Sequence, residues 1–405
     1  MQTALEIKFD SLEHYLNNLL SFHLEKGHQI AMWRKPKSQF LQILIDNSGK
    51  AKKVSPRLED LPSGFIVHPF EDQEDQKAYY LEASSYFKID LNIAIEGQKE
   101  NLKAIGNVKT NTQSKKLINK SLFSSGETGG RESYLEYSKQ DFVELVKKGI
   151  QAIENGELNK IVPAKLKKIE LTEGFDLVNS IKSLIQAYPN AFINFFHIPE
   201  VGSWLGASPE ILIQTKGELF STMSLAGTQK AVGDNPLKNT AWTQKEIEEQ
   251  ALVSRYIVDC FKKIRLREYD EIGPKTVLAG NLLHLRSDFS VNMNATNFPQ
   301  LGSVMLELLH PTSAVCGMPR KEAFDFLRKH EKFDRSLFAG YIGPVNIEEE
   351  TSIYVNLRTA RLMDGFAILY AGAGVTVDSD PGKEWEETEM KCDIIGQHLN
   401  LQKKL

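Results

Sequence analysis

Apolar residues recur at helical spacing in a few segments of the chain and at strand spacing in many more. Within the first 95 residues, "SLEHYLNNLLSFHL" repeats them at helical intervals, whereas "QFLQILIDNSGK" reads as a strand that ends in a turn. The clearest amphipathic helix is "SKQDFVELVKKGIQAIENGEL". Ser138 stands at its cap, and Phe142, Leu145, Val146, Ile150 and Ile153 fall near one face. Beyond it, strands are predicted at "KIVPAKLKKIEL", "AFINFFHI", "EILIQT", "ELFSTM", "SIYVNLRTARL" and "FAILYAGAGV", and helices over 176–188, 241–263, 300–308, 320–330 and 382–399. The strands are short and follow one another across turns, without regular crossover helices. That order predicts an α+β fold with a large antiparallel or mixed β-sheet, not a doubly wound parallel one. Residues 97–130 are polar and rich in Lys, Asn, Ser and Gly, and read as a long loop or flexible linker. No internal repeat is present.

Composition narrows the function classes. Of 405 residues, 41% are hydrophobic and 25% charged, the balance of a soluble globular protein with a sizeable core. The net charge of -4 lacks the basic excess of a nucleic-acid binder. No apolar run approaches the roughly 20 residues of a membrane span. The opening "MQTALEIKFDSLEHYL" has no apolar signal core. Cys260, Cys316 and Cys392 are far apart and form no CxxC pair, so neither a disulfide framework nor a thiolate zinc site is expected. The expectation is a cytoplasmic protein acting on a small molecule, with no nucleic-acid or membrane partner.

Candidate chemistry begins at "DPGKEWEETEMK". Acids favour a helix start because the macrodipole is positive there, and most acidic clusters need no other reason. At about 100° per residue, however, Glu384 and Glu387 lie on the side that the helix would bury with Thr388, Lys391 and Ile395, while Glu386 and Glu389 point toward solvent. The helix "WTQKEIEEQALVSRYIVDCFKK" repeats the arrangement, with Glu246 and Glu249 at the head of the line Val253–Ile257–Cys260. Buried carboxylates are costly unless a cation meets them. A shared ion would have hard oxygen ligands, which select Mg²⁺, or else Mn²⁺ or Ca²⁺, over zinc.

Other polar residues keep apolar company. Lys160 shares strand parity with Val162, Ala164 and Leu166; it is either an end-of-strand lysine that snorkels out or an amine desolvated enough to act as a base. Glu210 follows Ser-Pro at the mouth of an apolar strand, either exposed or held as a proton donor. His284 follows two leucines, as a core histidine would. Arg358 sits in a strand among alternating apolar residues, where a guanidinium can grip a carboxylate bidentately or pair with a structural acid. The glycines of "MSLAGTQ" and "YAGAGVT" allow close backbone approach to a ligand or simply a tight turn.

Taken in order, "NKIVPAK", "GASPEIL", "SLAGT", "KEIEEQ", "LLHL", "HPTSAVCGMPR", "SIYVNLRTARL", "YAGAGV" and "KEWEETEMK" resemble the chorismate-utilising enzymes, most closely their isochorismate-forming branch. The likeness runs over roughly 130–400; "AMWRKP" and "GFIVHPF" are faint echoes before it. It implies one α+β fold, a large antiparallel sheet sandwich with helices outside, in which 1–130 is a divergent N-terminal part and 131–405 the chorismate-binding catalytic region. It also implies Mg²⁺ in a deep cleft. Glu246, Glu249, Glu384 and Glu387 match the acidic positions around Mg²⁺, which binds the ring carboxylate. Lys160 matches the base that activates water for attack at C2, and Glu210 the acid that protonates the departing C4 hydroxyl. Arg358 matches a clamp on the enolpyruvyl carboxylate, helped by backbone near Gly374. Gly227, Thr228 and Lys391 match positions on the ring-carboxylate side, and His284 a histidine near the reacting ring.

Within the family, the resemblance implies water as nucleophile, because ammonia-using members, the anthranilate and aminodeoxychorismate synthases, lack the lysine at Lys160 and work with an amidotransferase. No such partner is expected, and the chain is expected to be a monomer. Salicylate synthases tend to carry threonine at the position of Ala314, so alanine favours stopping at isochorismate, for menaquinone or siderophore synthesis. "YIGPVNIEEE" lacks the Gly-Trp that often follows the family's turn there. A non-catalytic chorismate-binding relative is the alternative from another class.

Overall fold

Residues 11–71, 77–93, 109–124, 137–232, 235–279 and 282–399 are described in the computed structural model. The strands, in chain order, are β1 (Gln29–Arg34), β2 (Phe40–Asp46), β3 (Lys52–Val54), β4 (Gly64–His68), β5 (Ala78–Glu82), β6 (Ser85–Asp90), β7 (Lys160–Ile161), β8 (Ala164–Glu170), β9 (Phe192–Ile198), β10 (Gly202–Ser208), β11 (Ile211–Lys216), β12 (Leu219–Lys230), β13 (Asp270–Ala279), β14 (Leu282–Asn292), β15 (Gly317–Met318), β16 (Tyr341–Val345), β17 (Glu350–Val355), β18 (Thr359–Met363) and β19 (Phe366–Gly372). The helices are α1 (Leu12–Glu25), α2 (Asn111–Ser124), α3 (Lys139–Glu154), α4 (Leu177–Ala187), α5 (Pro236–Asn239), α6 (Gln244–Lys263), α7 (Leu301–Leu309), α8 (Arg320–His330) and α9 (Pro381–Gly396).

An eight-stranded sheet runs β6-β2-β1-β9-β10-β18-β19-β8, and a nine-stranded sheet runs β13-β14-β12-β11-β17-β16-β4-β5-β3. Neighbouring strands pair antiparallel throughout. This is the expected α+β architecture. One core fills the space between the sheets, and a second lies under α1, α2, α4 and α9 on the outer face of the eight-stranded sheet. Strand β9 divides its side chains accordingly: Phe192, Phe196 and Ile198 join the first core, Ile193 and Phe195 the second. A strand buried on both faces has no polar alternation, which is why "AFINFFHI" is apolar at all but Asn194 and His197, both of them buried.

Helix ends follow their capping residues. Ser138 accepts from the Asp141 amide, and the Asp141 carboxylate accepts from the Ser138 amide, a reciprocal cap that satisfies two otherwise orphaned donors. Asp380 caps α9 by accepting from Lys383 N at 2.8 Å, with Pro381 at the first helical position.

Four expectations need correction. The polar stretch 97–130 contains a helix: α2 packs on α1 and buries Ser114, Ile118 and Leu122, while 97–108 and 125–130 lie outside the described residues. "KIVPAKLKKIEL" divides into β7 and β8 at Val162–Pro163, where the proline offers no N–H to a ladder. "ELFSTM" is the start of a strand that continues to Lys230 through a bulge between Ala226 and Gln229. "SIYVNLRTARL" is two strands, because the chain leaves the nine-stranded sheet after Val355 and enters the eight-stranded one at Thr359. Arg358 makes that crossing with a φ of 49°.

A buried ion pair ties the β7 region to the segment before β15. The Arg335 guanidinium donates to Val162 O (2.6 Å) and Val315 O (2.7 Å) and pairs with Glu331, whose Oε1 also accepts from Ala164 N (2.8 Å). Removing one partner of such a pair leaves the other charge buried and unmatched, at a cost of about 3–5 kcal/mol. Arg335→Met is therefore expected to lower the urea midpoint by that equivalent; an unchanged midpoint would contradict this role.

Candidate active site

Two chain crossings between the sheets run side by side and build one wall of the site. Strand β10 hands over to β11 through Pro209–Glu210, and β17 hands over to β18 through Asn356–Arg358. Val355 N donates to Glu210 O (3.1 Å), Ala207 N to Arg358 O (2.9 Å), and Ser208 Oγ to Val355 O (2.6 Å). A non-glycine residue at positive φ costs free energy and persists only where its surroundings hold it, often at functional sites. The crossing sets Glu210 and Arg358, both buried, close to each other.

A second wall is β7. Lys160 pairs across to Met318, and Ile161 bridges to Val375 just beyond β19. Lys160 is fully buried, with its Nζ 2.9 Å from Glu249 Oε1. Gly374 leaves room for that pair, since a Cβ there would overlap Glu249 Oε1 and stand 3.2 Å from Lys160 Cε.

These groups act on one another electrostatically. Burial pushes the Glu210 carboxyl up to about 7, against the charges of Lys160, Arg358 and Lys391. Burial also lowers Arg358, to about 10, with Glu387 and Glu210 opposing. For Glu249 burial is the largest influence and would raise the pKa, but Lys160, with Lys245 and Lys391 behind it, holds the carboxyl below its usual range. His284 is lowered to about 3, first by burial and then by Arg358. Its Nδ1 lies 2.6 Å from Gly227 O, which only accepts, so the ring is neutral with its proton on Nδ1. The bare Nε2 is buried with no hydrogen-bond partner among the described residues.

Helices α6 and α9 bring the carboxylates. Lys245 Nζ forms an ion pair with Glu384 Oε1 and also lies within the fields of Glu249 and Glu387. Glu387 Oε1 pairs with Lys391 Nζ (2.6 Å), which also donates to Gly372 O (2.8 Å). Glu384 Oε2 is buried without a well-formed hydrogen bond among the described residues, and the Ser379 hydroxyl is the polar group near that carboxylate besides Lys245. Burial, and next the charge of Glu387, raise the Glu384 carboxyl to about 7. Among the described residues no three acidic, His or Cys side chains are drawn together as metal ligands; lysine ammoniums separate them. The donors nevertheless fit a hard divalent ion in kind, and the orphaned Glu384 oxygen and the Lys245 ammonium mark where positive charge is wanted.

Of the expected site residues, Lys160, Glu210, His284, Arg358, Lys391, Gly374, Glu249, Glu384 and Glu387 are thus gathered at one place. Glu246 turns to its own helix start, accepting from Thr243 N (2.7 Å) and from Gln229 Nε2 (2.9 Å). Gly227, at φ 68°, opens the β12 bulge with Thr228, and a Cβ there would meet Glu246 Cβ and the Trp242 ring at 3.3 Å. Ala314 is half-buried in the segment leading to β15, the strand paired with Lys160. Glu386 is exposed as expected, but Glu389 is not a free surface acid. It pairs with Lys165 and Lys167 of β8, and Lys165 also sits 3.2 Å above the Trp385 ring, which fastens α9 to the sheet. Sequence reasoning missed Lys245; its signal is a lysine in the first turn of a helix, where the macrodipole disfavours a cation. A cleft of about 960 Å³ lined by Arg57, His68, His310, Arg320 and Tyr341 lies elsewhere and shares none of these residues.

The chain matches the family model described as chorismate binding enzyme over residues 65–400. The isochorismate synthase EntC of Escherichia coli (strain K12) is 30% identical over 269 residues, covering 64% of this chain and 67% of that protein. The isochorismate synthase MenF of the same organism is 26% identical over 261 residues, covering 63% of this chain and 59% of that protein. The solved structure of MenF, the menaquinone-specific isochorismate synthase from Escherichia coli, aligns with a TM-score of 0.70 at 20% identity, over 98% of this chain and 92% of that one. Anthranilate synthase component I from Streptococcus pneumoniae TIGR4 aligns with a TM-score of 0.63 at 18% identity, over 98% and 95%. At such identities the structural likeness speaks for the fold alone. No helix among the described residues is long and apolar enough to cross a membrane.

Proposed function

Since the chain belongs to the chorismate-binding enzymes, we propose that it is an isomerase that converts chorismate to isochorismate. In this reading water attacks C2, the ring double bonds shift, and the C4 hydroxyl leaves as water. Lys160, an ammonium on Glu249 at rest, takes the proton of the attacking water once it has given up its own; Glu210 gives a proton to the departing oxygen. Arg358 holds the enolpyruvyl carboxylate, and the neutral His284 presents Nε2 as an acceptor beside the ring. The observation that carries the reading is the pairing of opposite proton roles in one buried site: an amine at Lys160, and at Glu210 a carboxyl held up to about 7 by burial.

Mg²⁺ belongs to the same proposal. Glu249, Glu384 and Glu387 would hold it, and Glu246 would join them by leaving its helix cap. When bound, it would supply the positive charge that fixes the ring carboxylate of the dianionic substrate. An ammonia-using reaction is disfavoured by Lys160, which supplies the base that water needs, so no amidotransferase partner is proposed. Ala314 supports release of isochorismate over onward elimination of pyruvate. Relatives named for menaquinone and for vibriobactin share the activity proposed here. Incubation with chorismate and Mg²⁺, followed by chromatography, is the test. Isochorismate is the expected product; salicylate with pyruvate, an aminated product when ammonia is supplied, or binding without turnover would each overturn the assignment.

Gly374→Ala probes the packing of the site around the Glu249–Lys160 pair. The added methyl would displace Glu249 from Lys160. A loss of at least about tenfold in kcat/KM is expected, since small misplacements of reacting groups are costly, with the circular dichroism spectrum retained. Unchanged kinetics would show that the Glu249–Lys160 pair is free to move.

A further inference from the structure

We propose that Lys245 is the built-in counter-ion of the carboxylate cluster, held on Glu384 in the absence of metal and expelled from it when a divalent cation enters. The proposal rests on the metal reading of this site, and the experiment below separates the two.

Charge balance carries the argument. Glu249, Glu384 and Glu387 each face one lysine: Lys160 at 2.9 Å, Lys245 in direct ion-pair contact, and Lys391 at 2.6 Å. Three carboxylates and three ammoniums leave the cluster neutral. Adding a divalent ion to this buried space would leave an excess of positive charge, still one unit if Glu246 swings in, that the interior screens poorly. A lysine has to withdraw. Their side chains differ in freedom to do so, with Lys160 at 0% exposure, Lys391 at 11% and Lys245 at 24%. Lys160 is enclosed by the β7–β15 pairing, and Lys391 is anchored by a second bond to Gly372 O. Among the described residues Lys245 has no such second anchor, and its flexible stem lets the ammonium swing out to water.

The carboxylate it holds is also incompletely matched. Glu384 is 1% exposed, one oxygen faces Lys245, and Oε2 makes no well-formed hydrogen bond among the described residues, with only the neutral Ser379 hydroxyl nearby to assist. A single ammonium on one oxygen is a poor substitute for an ion that can take both. The Lys245–Glu384 pair therefore also ties the starts of α6 and α9 together until a metal does so.

Mn²⁺ binding to the full chain without substrate, measured by titration calorimetry and by the spin-resonance signal of free Mn²⁺, tests the proposal on wild type, Lys245→Met and Lys245→Gln. Each neutral variant is expected to bind Mn²⁺ roughly tenfold more tightly or better, because a competing unit charge is gone. The metal-free variants are expected to melt below wild type, with the gap closing at saturating Mn²⁺. If wild type binds Mn²⁺ and the folded variants bind no more tightly, lysine and metal coexist and this proposal falls alone. If wild type, both neutral variants and Glu384→Gln all fail to bind, the metal reading falls and takes the proposal with it.

Discussion

Glu210→Gln is expected to lower chorismate turnover by about 10²–10⁴-fold, the usual contribution of a positioned proton donor. The amide keeps the shape of the carboxyl but has no proton to give to a departing hydroxyl. The pH profile is the sharper part of the prediction. Burial lifts Glu210 to about 7 despite the nearby positive charges, so its acidic form dominates below that value and is lost above it. Wild-type kcat/KM should fall as pH rises through about 7, and Glu210→Gln should lose that limb from its residual activity. Stability carries the same sign. Between the ordinary carboxyl value and about 7 the folded chain retains a proton that the unfolded chain releases, so stability declines as pH rises through this window. Glu384, also raised to about 7, adds to the decline. Thermal midpoints of wild type minus Glu210→Gln across pH 4 to 8 isolate the Glu210 share; a difference flat with pH would contradict its buried, proton-holding state.

Lys160→Met should be at least as damaging to turnover, again by about 10²–10⁴-fold, because the neighbouring amines are held on other carboxylates, Lys391 on Glu387 and Lys245 on Glu384. Methionine approximates the stem and keeps the space filled. Its fold should be retained at some cost, since Glu249 is left without its ammonium partner and an unmatched buried charge destabilises by about 3–5 kcal/mol. The two residues should also be non-additive. With proton acceptance gone, removing the donor as well costs little more. The kinetics of Lys160→Met, Glu210→Gln and the double variant check this, and losses that simply multiply would mean the two groups serve separate steps.

How far the sequence led follows from how local each signal is. Ser138 with Asp141 marks a helix start within four residues, and α3 begins where that pattern puts it. The i, i+3 glutamates of α6 and α9 give away their shared face in the same way. "AFINFFHI" was legible as a strand, although its two-sided burial depends on helices distant in the chain. What stayed hidden is long-range. Arg358 looks like a mid-strand residue until the sheets are known, because the change of sheet between Val355 and Thr359 is set by partners on both sides. Glu389 looks solvent-facing on its helix, yet Lys165 and Lys167, more than 220 residues earlier, cover it. Lys245 meets Glu384 across 139 residues of chain, and only its unfavourable place at a helix start hints at the contact. Glu246 followed the local rule instead: its carboxylate completes the capping box with Thr243.

The central claim is that water is added at C2 by groups gathered from β7 and from the β10–β11 crossing. Turnover of unlabelled chorismate in H₂¹⁸O with Mg²⁺, read by mass spectrometry of the product, tests it most directly. Isochorismate carrying one ¹⁸O on its ring, at C2, is expected. Isochorismate without label would mean that the hydroxyl never comes from solvent, and would contradict it.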